Sequence, residues 1–206
     1  KIAEGDKSFD ILRSISLVSE AIKVQHAVEL VETQGISQVL GYIEKIISQS
    51  ATSTVKSVQN LAKDINFRSA YLKAQNTAEK KIEHPKLVRI AEIVNSEIEK
   101  DAQSKVMIFN NYRDTAVLID AELKKHPSIK PLIFVGQTKK GVTGMSQKKQ
   151  VQALKDFSEG LYNVLLATSV GEEGLDIPQV DLVVFYEPIP SAIRSIQRKG
   201  RTGRHD

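Results

Sequence analysis

Four apolar runs in the second half of the chain limit the fold more than any other feature. Residues 106–109 (VMIF), 132–135 (LIFV), 164–167 (VLLA) and 182–185 (LVVF) lack the polar alternation of a strand with one wet face. A strand that is apolar on both sides has to be covered on both sides, as in parallel sheets whose crossovers lay helices over both faces. The connecting segments supply such helices. Residues 116–123 have helical spacing, Val151, Leu154 and Phe157 mark a second helix, and 192–197 a third. This half is therefore expected to be a doubly wound α/β domain.

The first 82 residues contain no convincing strand. Ile11, Ile15, Val18 and Ile22 recur at helical spacing and lead into Val24, Val28 and Val31, and Gly35 stands where a helix would be capped at its C-terminus. Val39, Leu40, Ile43, Ile46 and Ile47 form a second stripe. A third runs through Val55, Val58, Leu61, Ala62 and Ile65, and a helix through Tyr71, Leu72 and Ala78 continues it. Such helices can bury their stripes only against each other or against a neighbouring domain, so an all-α bundle is expected over 1–82. Pro85 suits the first position of a new helix, with Leu87, Ile90, Ala91 and Val94 on its face, and the α/β domain is expected over 83–206.

Composition narrows the function classes. No apolar run approaches the roughly 20 residues that cross a bilayer, and residues 1–10 lack a signal-peptide core, so a cytoplasmic protein is expected, nucleoid-associated if archaeal. With no cysteine and four scattered histidines, thiolate metal sites are excluded and a zinc site is disfavoured. The net charge of +4 is unevenly spread. Residues 1–44 carry four Lys/Arg against seven Asp/Glu, whereas residues 45–81 carry seven against two. Lys56 and Lys63, and likewise Lys73 and Lys80, are a heptad apart and near one helix face. They suit either a solvated face or contacts to phosphates.

In open α/β sheets ligands bind beyond the carboxyl ends of the strands. After the run 164–167 come Thr168, Gly171, Gly174 and Asp176: small residues would admit a phosphate or nucleotide to the main chain, and the carboxylate suits a ribose hydroxyl. Asp176 could equally end a turn before Ile177-Pro178, and Thr168 could cap a helix. After the run 132–135 comes a loop rich in glycine, threonine and lysine, residues 136–144, with Gly136 and Gln137 at its start. Near the end of the chain, Arg201 and Arg204 stand between glycines, with Gln197 before them. A close pair of permanently charged, bidentate guanidinium groups suits a polyphosphate, the alternative being a plain basic terminus.

These strings carry a resemblance. ATSVGEEGLD, from Ala167, followed about twenty residues on by QRKGRTGR, from Gln197, resembles motifs V and VI of superfamily 2 helicases. KVMIFNNYRDTA, from Lys105, resembles motif IV, and GMSQKKQVQALKDFSEG, from Gly144, resembles the helix before the motif V strand. VVFYEPIPSAIRSIQ, from Val183, and FVGQ, from Phe134, are similar to the archaeal Hef helicases and the related Fanconi-anaemia M-type translocases. The resemblance implies a RecA-like second motor half preceded by a helical insertion that grips DNA, branched DNA above all, in repair or fork restart. It implies that Arg201 and Arg204 reach the γ-phosphate of ATP, supported by Gln197, while Gly174 and Asp176 line the nucleotide side of the cleft. Thr168, with Gly136 and Gln137, would touch the nucleic-acid backbone. No Gly-Lys-Ser/Thr phosphate loop and no acid pair of the DEAD type is present, so ATP with Mg2+ would be held mainly by an N-terminal RecA-like partner domain. This chain alone is expected to be inactive. Two other readings share these residues: an RNA-directed ATPase of the RIG-I-like type, and a non-catalytic nucleic-acid-binding module.

Overall fold

The computed structural model describes residues 9–80, 82, 84–136, 144–168 and 178–188. It divides into two compact units, Lys1–His84 and Pro85–Asp206.

Four helices make up the first unit: α1 (Phe9–Thr33), α2 (Ile36–Gln49), α3 (Lys56–Lys63) and α4 (Ile65–Glu79). Leu30, Val39, Ile43, Ile46, Val58, Leu61, Ala62, Phe67 and Ala74 form its interior. The third apolar stripe does not run on unbroken. Asp64 adopts an extended conformation between α3 and α4, and its carboxylate accepts the Phe67 N–H at 2.8 Å, an N-cap that starts a separate helix. A polar cluster ties α1 to α3: the Lys23 ammonium donates to Ser19 Oγ at 2.6 Å and to the buried Ser57 Oγ at 3.1 Å.

α1 departs from the expectation that its stripe is buried. Ile15, Val18 and Ile22 are 50%, 58% and 63% exposed. Val24, Val28 and Val31 instead line an apolar groove of about 640 Å³ with Val39, Ile43 and Phe67 from α2 and α4.

Gly35 both closes α1 and opens α2. Its N–H reaches back to Leu30 O at 2.9 Å, and its φ of 103° with ψ of −174° is a region that only glycine occupies without strain. A Cβ there would also stand 3.1 Å from the Cβ of His84.

The second unit begins with α5 (Pro85–Lys100) and continues β1 (Val106–Phe109), α6 (Arg113–Leu123), β2 (Pro131–Phe134), α7 (Gln147–Ser158), β3 (Val164–Ala167) and β4 (Leu182–Phe185). All pairings are parallel, in the order β2-β3-β1-β4. Alternate residues of the central strands face opposite ways. Val106, Ile108, Val164 and Leu166 pack with α5 and α6 through Leu87, Ile90, Val94, Ile119 and Leu123. Met107, Phe109, Leu165 and Ala167 pack with α7 through Ala153, Leu154 and Phe157. Each of the larger buried side chains here contributes roughly 2 kcal/mol relative to exposure and each alanine less than about 1 kcal/mol, so the two-sided burial holds the layers together. This is the doubly wound α/β layer expected from the sequence, with helices on both faces. β2 starts one residue earlier than the apolar run, at Pro131, because an edge strand tolerates proline as its first residue. α7 turns Gln150, Ala153, Leu154 and Phe157 inward, while Val151 is exposed.

Gly35→Ala is expected to lower stability by roughly 1–3 kcal/mol through backbone strain, and Gly41→Ala to raise it by up to about 1 kcal/mol. Gly41 is a helical residue of α2 whose added Cβ would meet nothing within 4 Å. Denaturant unfolding of the two variants checks both signs.

Candidate functional site

In-register pairing brings the four strands to a common end. Phe134, Ala167, Phe109 and Phe185, from β2, β3, β1 and β4, form one row across the sheet. The Phe109 and Phe185 rings stack with centroids 5.7 Å apart. Beyond that row the amides continue the ladder: Thr168 N donates to Phe134 O at 3.2 Å, Asn110 N to Ala167 O at 3.0 Å, and Tyr186 N to Phe109 O at 2.9 Å. The chain leaves β1 toward β2 and leaves β3 toward β4, in opposite directions along the sheet. The neighbouring ends at Asn110 and Thr168 therefore flank a switch point, where open α/β sheets bind ligands.

Thr168 and Gly136 are both buried at this edge, at the ends of adjacent strands β3 and β2. The Gly136 carbonyl accepts from Met145 N and from Arg113 Nη2, each at 3.3 Å. Gln150, buried in α7, donates from Nε2 to Val135 O at 3.0 Å, so the start of the loop after β2 is held from both α6 and α7.

Asn110 is fully buried; its Nδ2 donates to Tyr112 O, the carbonyl that also accepts Ala116 N as α6 begins. Its Oδ1 has no hydrogen-bond partner among the described residues. Glu187 is buried at 6% exposure and accepts the Asn111 N–H at 3.0 Å. Lys86, the second residue of α5, donates to Tyr186 O at 3.1 Å and lies 4.4 Å from the Tyr186 ring centroid. Burial lowers the Lys86 pKa, and the Glu187 carboxylate opposes that shift.

The structure thus brings together Gly136 and Thr168 from the sequence-derived set. Gln137, Gly174, Asp176, Gln197, Arg201 and Arg204 lie outside the described residues. Lys56 and Lys63 stand at the two ends of α3, Lys73 is in α4 and Lys80 is its C-cap, all four exposed. Lys63 shares a recess with Ser50, Gln59 and Arg68. No group of His, Asp and Glu able to hold a metal ion occurs among the described residues. Sequence reasoning assigned no role to Asn110, Asn111, Arg113 or Glu187. The rule that picked Thr168, the position just after an apolar run, also picks Asn110 and comes within one residue of Glu187.

The profile of the "Helicase conserved C-terminal domain" matches residues 85–206, and that of the "Putative ATP-dependent RNA helicase, helical bundle" matches residues 2–81. A protein of Methanocaldococcus jannaschii named "Putative ATP-dependent RNA helicase" is 43% identical over 92% of this chain and 23% of its own length. The ATP-dependent DNA helicase MPH1 of Coccidioides immitis is 34% identical over 92% of this chain and 19% of its own. The crystal structure of the Pyrococcus furiosus Hef helicase domain superposes with a TM-score of 0.71 at 43% identity, covering 99% of this chain and 41% of that one. The chain spans about a quarter or less of the two curated relatives.

Asn110→Asp is expected to cost roughly 3 kcal/mol at neutral pH, because a carboxylate would replace a buried donor to Tyr112 O. Burial raises the pKa of the new carboxyl in the folded state above its unfolded value. The penalty is therefore full above that raised pKa and is relieved as pH falls through it. Urea unfolding across a pH series checks both the loss and its direction.

Proposed function

The chain belongs to the helicase C-terminal domain family of superfamily 2, close to the Hef and Mph1 helicases, and from this we infer that it is the second motor half and helical insertion of an ATP-dependent DNA translocase acting on forks and junctions. The observation that carries the reading is the shared strand edge. Gly136 and Thr168 follow neighbouring parallel strands, and the string ATSVGEEGLD, which resembles motif V, runs from Ala167 to Asp176. Open α/β sheets bind ligands beyond such a strand edge, and contacts to a sugar-phosphate backbone position a protein on nucleic acid without reading sequence.

In the whole enzyme, ATP with Mg2+ would sit between this half and an N-terminal RecA-like half that supplies the metal ligands. Arg201 and Arg204 would meet the γ-phosphate as the halves close, with Gln197 in support, and Gly174 and Asp176 would face the nucleotide. A guanidinium at a transferring phosphoryl group stabilises charge that develops only in the transition state. Thr168, Gly136 and Gln137 would hold the nucleic-acid backbone during closure. Release after hydrolysis would let one half advance. The unit over residues 1–82 would act as the insertion, with Lys56, Lys63, Lys73 and Lys80 neutralising phosphates of the branched substrate.

One observation favours a second reading, an RNA-directed motor. The Methanocaldococcus relative and the helical-bundle family both carry RNA helicase in their names, whereas the Coccidioides relative is named a DNA helicase.

In the full-length enzyme, Arg204→Ala is expected to lower ATP turnover by about a thousandfold or more while nucleic-acid binding persists. Unchanged turnover would contradict the motor reading and support the non-catalytic module. Competition between fork DNA and double-stranded RNA for the wild-type enzyme then separates the two motors. A DNA translocase retains the fork, and preference for RNA, whose 2′-hydroxyl offers an added contact, favours the alternative.

A further inference from the structure

We propose that Glu187 is a positioning residue that makes the nucleic-acid edge of the sheet depend on the segment leading into the arginine motif. The inference rests on the motor reading given above. Its ground is a polar chain that links the ends of all four strands. At the end of β4, the buried Glu187 carboxylate accepts the Asn111 N–H at 3.0 Å, a contact between residues 76 apart in sequence. Asn110, beside it, is fixed by its own amide to β3 and by its Nδ2 to the Tyr112 carbonyl that starts α6. The next residue, Arg113, reaches across to the Gly136 carbonyl at 3.3 Å, where the loop after β2 departs. Lys86 closes the other side: it donates to Tyr186 O, and its charge interacts with Glu187.

The physical consequence follows from burial. A carboxylate taken out of water is costly unless its oxygens meet donors, and a backbone N–H is a donor that every residue except proline supplies. The low-energy state therefore keeps Glu187 against Asn111, and any displacement of the chain at 187 carries the turn 110–112 with it. Arg113 is the first residue of α6, so the turn also sets where its guanidinium meets Gly136. Residue 187 lies ten positions before Gln197, and 14 and 17 before Arg201 and Arg204. A pull on that segment from the nucleotide side is thereby passed to the loop proposed to hold the backbone of the nucleic acid. Glu187 contacts neither ligand in this scheme.

The test uses the full-length enzyme and fork DNA, with ATPase rate measured as a function of DNA concentration. Glu187→Ala is expected to raise the half-saturating DNA concentration about tenfold, the effect of losing a hydrogen bond to a charged group. The DNA-free rate and the KM for ATP should stay within about twofold, since no nucleotide contact is lost. Glu187→Gln keeps an acceptor oxygen for the Asn111 N–H and should restore most of the DNA affinity. Arg113→Ala, at the far end of the chain of contacts, should reproduce the rise; it also decides the question if Glu187→Ala does not fold. The proposal is overturned if Arg113→Ala leaves DNA dependence unchanged, if Glu187→Ala lowers the rate equally with and without DNA, or if Glu187→Gln is as damaging as Glu187→Ala. A wild-type enzyme whose turnover DNA does not stimulate sinks the motor reading itself, and this inference with it. Normal stimulation that survives Glu187→Ala sinks this inference alone.

Discussion

The parallel ladder, with all four strands in one register, is the constraint on which the rest of this half depends. The backbone N–H and C=O groups of the two central strands, β1 and β3, whose residues are all buried, must find partners within the sheet. Pairing Val106 with Val164 and with Leu182, and Pro131 with Val164, aligns every strand end at Phe134, Ala167, Phe109 and Phe185. The polar residues that follow have nowhere to go but one edge. Local chemistry then tunes that edge: Asn110 anchors the start of α6, Gln150 and Arg113 hold the loop after β2, and Glu187 with Lys86 holds the end of β4.

The helical unit obeys a weaker constraint. Its interior is built from α2, α3 and α4 with Leu30 of α1, and polar contacts through Lys23, Ser19 and Ser57 do part of the work of holding α1 in place. Much of the apolar surface of α1 is left in the open at Ile15, Val18 and Ile22. An amphipathic stripe states which face of a helix avoids water; it does not state what covers that face.

Most of the fold was legible in the sequence because strand runs and helical periods are local signals. Three of the four strands sit where the apolar runs placed them, and Pro85 opens α5. Where the reading slipped, a local rule had been outweighed. The apolar period ran straight through Asp64, so the N-cap to Phe67 that splits α3 from α4 went unnoticed. The apolar run places a strand over 132–135, whereas β2 covers Pro131–Phe134, since the sheet order puts it at an edge where proline can be the first residue. The site was legible only in part. Thr168 and Gly136 announce themselves by following apolar runs, whereas the pairing of Glu187 with Asn111, or of Arg113 with Gly136, links residues 76 and 23 positions apart. No spacing rule reaches that far; only the register of the sheet does.

The central claim is that ligand binding occupies the carboxyl edge of this sheet. Hydrogen–deuterium exchange of the full-length enzyme, with and without fork DNA and a non-hydrolysable ATP analogue, tests it most directly. The account predicts new protection at the amides of residues 110–113, 136 and 168. Protection confined to the opposite edge, around Lys105, Lys130, Asn163 and Asp181, with none at those positions, would contradict it.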